Sequence, residues 1–250
     1  MNRSISIGTA PLTPVVKWLL IINVAIWFIF QVILEGFAHV PVTSLFGLYP
    51  GKVLFNFEIW QLVTYMFLHS MQITHILFNM LMLWFFGAEL EQRWGARFFL
   101  TYYMVCGVGA AILYCGGVWI YALATGSQVG LIVPVVGASG AIFGLLLAQG
   151  LLFGERVIYF FMLFPMKTKY FVGIMGLIQI ASLMTSSVSG GEVAYLAHIG
   201  GLVSGYLCLR ARGWWVQNNM KKKAKGNRGR NLRLVVDNEK PSDKPPKYWN

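Results

Sequence analysis

No aspartate, glutamate, lysine or arginine occurs between Phe98 and Gly154. A charge-free and largely apolar stretch of that length points to hydrocarbon as its surroundings. In lipid, each backbone polar group must be satisfied within the chain, which restricts a spanning segment to helices or a closed barrel. The rest of the chain agrees, with 57% hydrophobic residues, 12% charged residues and a mean hydropathy of +0.62. The pattern is that of a polytopic helical membrane protein. Glu35, Glu58, Glu89, Glu91, Glu155 and Glu192 all fall between apolar runs, so no carboxylate interrupts a span.

Charges and turn residues predict six spans, at about 17–35, 71–88, 98–121, 139–154, 170–187 and 193–210. The first reads as a retained membrane anchor. The fourth is short for a hydrocarbon layer of about 30 Å, so its beginning is expected below one surface, with the preceding loop dipping to meet it. Residues 36–70 read as a partly ordered loop lying along the interface.

Arg3, Lys17, Arg93, Arg97, Arg156, Lys167, Lys169 and the basic tail fall on one side, against Lys52 on the other. This asymmetry predicts that both termini are cytoplasmic. Of the net charge of +11, +9 lies from Arg210 onward. The run Lys221-Lys222-Lys223-Ala224-Lys225 follows a span directly, which suits anionic membrane lipids and topology rather than nucleic acid. The predicted division is therefore an N-terminal segment 1–14, a six-span domain 15–212 and a basic, disordered tail 213–250. Cys106, Cys115 and Cys208 lie in apolar segments without metal-ligand spacing, and no metal or cofactor is expected.

Chemistry is concentrated in a few polar residues within apolar runs. Ser139 stands in Gly137-Ala138-Ser139-Gly140, and His198 follows 59 residues later. Ionisable groups in hydrocarbon are costly, so a histidine there with a serine to activate points to a nucleophile and its general base. His75 and Asn79, four residues apart, share a helix face and could donate to a developing oxyanion together with the Ser139 backbone N–H. No carboxylate is placed to orient the base, which leaves a Ser-His dyad. Phe143, one turn after Ser139, is positioned to stack on the imidazole. Gly140 and Gly144 follow the serine and Gly201 and Gly205 follow the histidine, giving each helix a GxxxG surface for close approach.

With these residues the chain resembles the rhomboid family of intramembrane serine proteases over about residues 15–212. The resemblance is carried by Gly137-Ala138-Ser139-Gly140, by Ala197-His198-Ile199-Gly200-Gly201, by His75-Ile76-Leu77-Phe78-Asn79, and by the turn Glu91-Gln92-Arg93-Trp94-Gly95. It implies an all-α bundle of six transmembrane helices in which Ser139 attacks and His198 is the base. His75, Asn79 and the Ser139 N–H would form the oxyanion hole, in a water-filled cavity open to the extracytoplasmic side. The implied substrates are transmembrane proteins reaching the site past the fifth span, about Tyr170 to Glu192, in a membrane of the bacterial inner (plasma) kind. The chain departs from the family in having Trp60-Gln61 for its Trp-Arg pair, and His69 six residues before His75 instead of five. The rival readings are a non-catalytic rhomboid-like protein that binds membrane clients and a small transporter. Oligomeric state is left open.

Overall fold

The computed structural model describes residues 12–160, 164–185 and 193–227. The chain divides into two compact units, Met1–Ala211 and Arg212–Asn250. The first is an all-α assembly. Helix α1, Pro14–Ile26, continues as a π-helix over Trp27–Phe37; short helices α2, Val42–Phe46, α3, Pro50–Phe55, and α4, Gln61–Thr64, follow. A 3-10 turn at Tyr65–Phe67 leads to α5, Ile73–Trp94, α6, Ala96–Thr125, and the short α7, Val129–Ile132. The order is completed by α8, Ser139–Leu152, strands β1, Val157–Phe160, and β2, Phe164–Lys167, then α9, Thr168–Thr185, and α10, Val193–Asn227.

Among the described residues, Pro14–Phe37, Ile73–Trp94 and Ala96–Thr125 are long and apolar enough to cross a membrane, and Ser139–Leu152 and Thr168–Met184 are shorter apolar helices. Large side chains such as Ile22, Phe28, Leu77, Phe85, Ile112, Ile120 and Leu177 face outward, the pattern of helices solvated by hydrocarbon. The interior is packed around α6 and α8, where Phe99, Tyr102, Tyr103, Tyr114, Leu145 and Leu146 are fully buried.

Two features anchor the bundle. Pro14 starts α1, where a missing N–H costs nothing, and Glu91 at the far end of α5 accepts from Val15 N and Val16 N, each at 2.9 Å, and from the Thr13 hydroxyl. A carboxylate thus neutralises the positive end of α1 and pins it to α5. Gly95, at φ +79, then reverses the chain into α6.

The segment 38–70 is more ordered than a loop lying on an interface. Leu48 and Val135 exchange both backbone hydrogen bonds at 3.0 Å, and Gly137 N donates to Tyr65 O at 2.9 Å. The segment therefore grips the loop ahead of Ser139 from two sides. Gln61 sits fully buried at its centre: its Oε1 accepts from Tyr49 N at 2.9 Å, and its Nε2 donates to Glu58 at 2.7 Å and to Leu45 O at 3.4 Å. A neutral amide thus organises the segment, because three loop groups converge on its two polar atoms.

Three features correct or extend the expectations. Helix α10 runs on to Asn227, so residues 213–227 are helical instead of disordered. The stretch from Trp214 to Lys225 contains neither proline nor glycine, and its Lys, Gln, Met and Ala residues are good helix formers. The expected disorder beyond Asn227 lies outside the described residues, as do Arg3 and Glu192. The connection between α8 and α9, which falls between the predicted fourth and fifth spans, contains an antiparallel pair, with Val157 opposite Lys167 and Phe160 opposite Phe164. Finally, the first span is π-helical in its second half, its wide turns closed by bonds such as Ala38 N to Ile33 O.

Candidate active site

Gly137 has φ +127, and a Cβ there would lie 3.2 Å from His75 Nε2 and 3.7 Å from Ser139 Oγ. Any side chain at 137 would be strained and would crowd the space between these two groups. The glycine turns the chain so that Ser139 becomes the first residue of α8, at the helix end where backbone N–H groups have no acceptor within the helix. That end favours negative charge.

His198, on α10, presents Nε2 to Ser139 Oγ at 2.7 Å. Its ring lies on that of Phe143, with centroids 4.3 Å apart and planes inclined by 18°. The close approach of α8 and α10 depends on Gly201, where a Cβ would lie 1.9 Å from Gly140 O, and that of α8 and α6 on Gly144, where a Cβ would meet Cys106 Sγ at 2.4 Å. At Gly205 the obstruction would be Tyr102 Oη at 2.6 Å, and at Gly140 the Cβ of Ala110 at 2.8 Å. The Tyr102 hydroxyl donates to Gly144 O at 2.8 Å, tying α6 to the same contact.

His75 stands at the start of α5, and its tautomer is set by its neighbours. Ser70 N donates to His75 Nδ1 at 3.1 Å, and the Ser70 hydroxyl lies 3.0 Å from the same nitrogen. A backbone N–H can only donate, so Nδ1 is the acceptor and the neutral ring carries its proton on Nε2, the nitrogen nearest Gly137. Asn79, one turn on, donates from Nδ2 to His75 O at 2.8 Å, while its buried Oδ1 has no hydrogen-bond partner among the described residues. His69 is fully buried with its ring 5.4 Å from that of His75, and burial pushes its imidazole down to about 3, leaving it uncharged.

His75, Asn79, Ser139, Phe143 and His198 line one cavity of about 350 Å³, walled by Phe78, Met82, Ile142, Leu146 and Met175 and by the extended residues Pro134–Val136. The residues singled out from the sequence are thus gathered at one place: Ser139 and His198 in contact, Phe143 on the ring, His75 and Asn79 across the cavity, and Gly137, Gly140, Gly201 and Gly205 at the points of close approach. Among the described residues no group of three or more histidine, cysteine or acidic side chains is arranged to hold a metal ion.

One contact was not foreseen. Gln179 Oε1, on α9, lies 2.8 Å from His198 Nδ1. The only signal in the sequence was a lone amide within the apolar run Tyr170–Met184.

The fold and this cavity define a helical membrane protein with a serine–histidine pair at the head of a buried helix. The rhomboid domain profile matches residues 56–214, and the chain belongs to the rhomboid family, which includes intramembrane serine proteases. It is 32% identical over 203 residues to YdcA of Bacillus subtilis, a provisionally named rhomboid protease, covering 78% of this chain and 87% of that one. Rhomboid protease GluP of the same organism is 29% identical over 181 residues, covering 71% of this chain and 31% of its own length. The mitochondrial Rhomboid protein 1 of Saccharomyces cerevisiae is 28% identical over 217 residues, covering 74% of this chain and 59% of that one. The chain therefore spans only part of the last two proteins.

Proposed function

We propose that this chain is an intramembrane serine endopeptidase that cleaves transmembrane proteins near the extracytoplasmic surface. The observation that carries the reading is the 2.7 Å contact between Ser139 Oγ and His198 Nε2 at the edge of the cavity. As Oγ attacks a peptide carbonyl, its proton passes to His198 Nε2, since serine is a weak nucleophile until a base takes that proton. The charge that forms on the carbonyl oxygen is met by His75 Nε2–H, an Asn79 amide N–H and the Ser139 backbone N–H. In other enzymes the loss of one such donor costs about 3 to 4 kcal/mol of barrier. The tetrahedral adduct collapses by breaking the C–N bond, and the imidazolium returns its proton to the leaving amine. Water, deprotonated by the same imidazole, then releases the acyl group and restores Ser139.

In this reading α1 with its π extension, α5, α6, α8, α9 and the first part of α10 each cross the membrane. The protease domain is 15–212, flanked by the segments 1–14 and 213–250, with both termini cytoplasmic in a bacterial inner membrane. Helix α8, at about 21 Å for 14 residues, is shorter than the hydrocarbon layer, so Ser139 sits below the surface and needs the cavity for water. Substrate helices reach it past α9 and the residues that follow, and the basic tail meets anionic lipid.

Labelling of the purified protein with a fluorophosphonate tests the reading directly. An adduct on Ser139 that is lost in Ser139→Ala and His198→Ala is expected. A folded wild-type protein that takes no label would instead be a rhomboid-like protein that binds membrane clients without cutting them.

A further inference from the structure

We infer that Gln179 is a positioning residue for His198, holding the imidazole in the tautomer and orientation that a base for Ser139 requires. The inference rests on the reading of Ser139 and His198 as a dyad. A neutral imidazole carries one proton, and it can accept from Ser139 at Nε2 only when that proton is on Nδ1. Gln179 Oε1, 2.8 Å from Nδ1, is an acceptor and so stabilises that tautomer. The stack with Phe143 fixes the plane of the ring but leaves it free to turn within that plane. Bonds at both ring nitrogens remove that freedom.

The side chain belongs to α9, whereas its two partners belong to α10 and α8, so the pair is assembled by three helices. Gln179 is 5% exposed, although both neighbours in sequence, Ile178 and Ile180, are 47% exposed. It is turned inward out of an apolar helix. An amide in this place gives the imidazole an acceptor without burying a negative charge among apolar helices, which is costly unless fully paired. It fills the place that a carboxylate takes in a serine–histidine–aspartate triad, with the orienting part of that role and not the charge.

The experiment compares rates of fluorophosphonate acylation of the full chain in detergent for wild type, Gln179→Met, Gln179→Glu and Gln179→Asn, with thermal melting as the control on folding. Methionine keeps the length and removes the amide oxygen, and acylation is expected to slow about 10- to 100-fold, by analogy with the loss of residues that orient metal-ligating histidines. Glutamate keeps an oxygen facing Nδ1–H in either protonation state and is expected to hold the rate within about threefold of wild type. A role in packing alone predicts the reverse order, since methionine is the better tolerated side chain in an apolar site. The proposal is overturned if Gln179→Met is labelled at the wild-type rate, or if Gln179→Glu is as slow as Gln179→Met. Should the methionine variant not fold, Gln179→Asn decides: its amide falls one methylene short, so it should be slow where Gln179→Glu is fast, and equal rates overturn the proposal. A wild-type protein that takes no label would overturn the dyad itself, an outcome distinct from any of these.

Discussion

Gly201 and Gly140 face each other so closely that a Cβ on Gly201 would stand 1.9 Å from the Gly140 carbonyl oxygen. The obstruction is backbone, three residues after His198 and one after Ser139, so no side-chain rotation can relieve it. Gly201→Ala is expected to push α10 from α8, costing about 1 to 3 kcal/mol or more through overpacking and separating Nε2 from Oγ. Melting and acylation should both fall. An alanine variant with wild-type labelling would show that the helix contact does not set the dyad distance.

Glu91 holds the start of α1 through two backbone N–H groups and a hydroxyl while 4% exposed. Glu91→Gln leaves at least one of those donors unmatched, and hydrogen bonds to a charged group are worth about 1.5 to 3 kcal/mol. Its melting temperature should drop by several degrees while the protein that remains folded is acylated at close to the wild-type rate. A folded variant as inert as His198→Ala would mean that a carboxylate takes part in the chemistry.

Asn79→Ala removes one oxyanion donor and leaves His75 Nε2–H and the Ser139 N–H. Turnover of a transmembrane substrate should fall by less than in Ser139→Ala or His198→Ala, within about 10²- to 10³-fold of wild type. Stability should change little, because among the described residues the amide donates to its own helix at His75 O and its Oδ1 is unpartnered. Unchanged turnover of every substrate would reduce Asn79 to a packing residue.

Between α8 and α9, Glu155 accepts from Lys167 at 2.7 Å and also from Lys169, and these two hydrogen bonds hold its carboxyl down at about 2. Because the folded value lies below the ordinary 4.5, the contribution to stability is present above about pH 4.5 and is lost as pH falls towards 2. The group is exposed, so the effect is small and screened by salt. Melting measured from pH 5 to pH 2 should decline less in Glu155→Gln than in wild type, with the difference narrowing at high salt. Parallel declines would remove the pairing of Glu155 with Lys167 and Lys169 from the account.

Much of the site was legible because its residues are polar groups in an apolar setting. Ser139, His198, His75 and Asn79 declare themselves as polar groups within or beside apolar runs, and glycine at GxxxG spacing marks where helices touch. Gln179 is equally polar, but its role depends on the rotation of α9 about its own axis relative to α10, which no pattern within α9 encodes. The order in 38–70 was hidden for a related reason: Leu48 pairs with the distant Val135, and Gln61 gathers Tyr49, Leu45 and Glu58 from turns of its own segment, so its regularity comes from side-chain and non-local bonds that no residue periodicity encodes. A π-helix and an α-helix share one composition, so Trp27–Phe37 could be read as apolar but not as π. The helical continuation to Asn227 shows the converse, since the polar tail reads as disordered from 213 onward while its first residues carry high helix propensity.

The central claim is that Ser139 attacks a peptide bond with His198 as its only side-chain base. The most direct test is cleavage of a reporter transmembrane substrate by the purified full chain in liposomes, with the products identified by mass. Wild type is expected to give two fragments from a cut near the extracytoplasmic end of the substrate helix, and Ser139→Ala and His198→Ala should give none while melting near the wild-type temperature. Fragments from folded Ser139→Ala at a rate comparable to wild type would contradict the account.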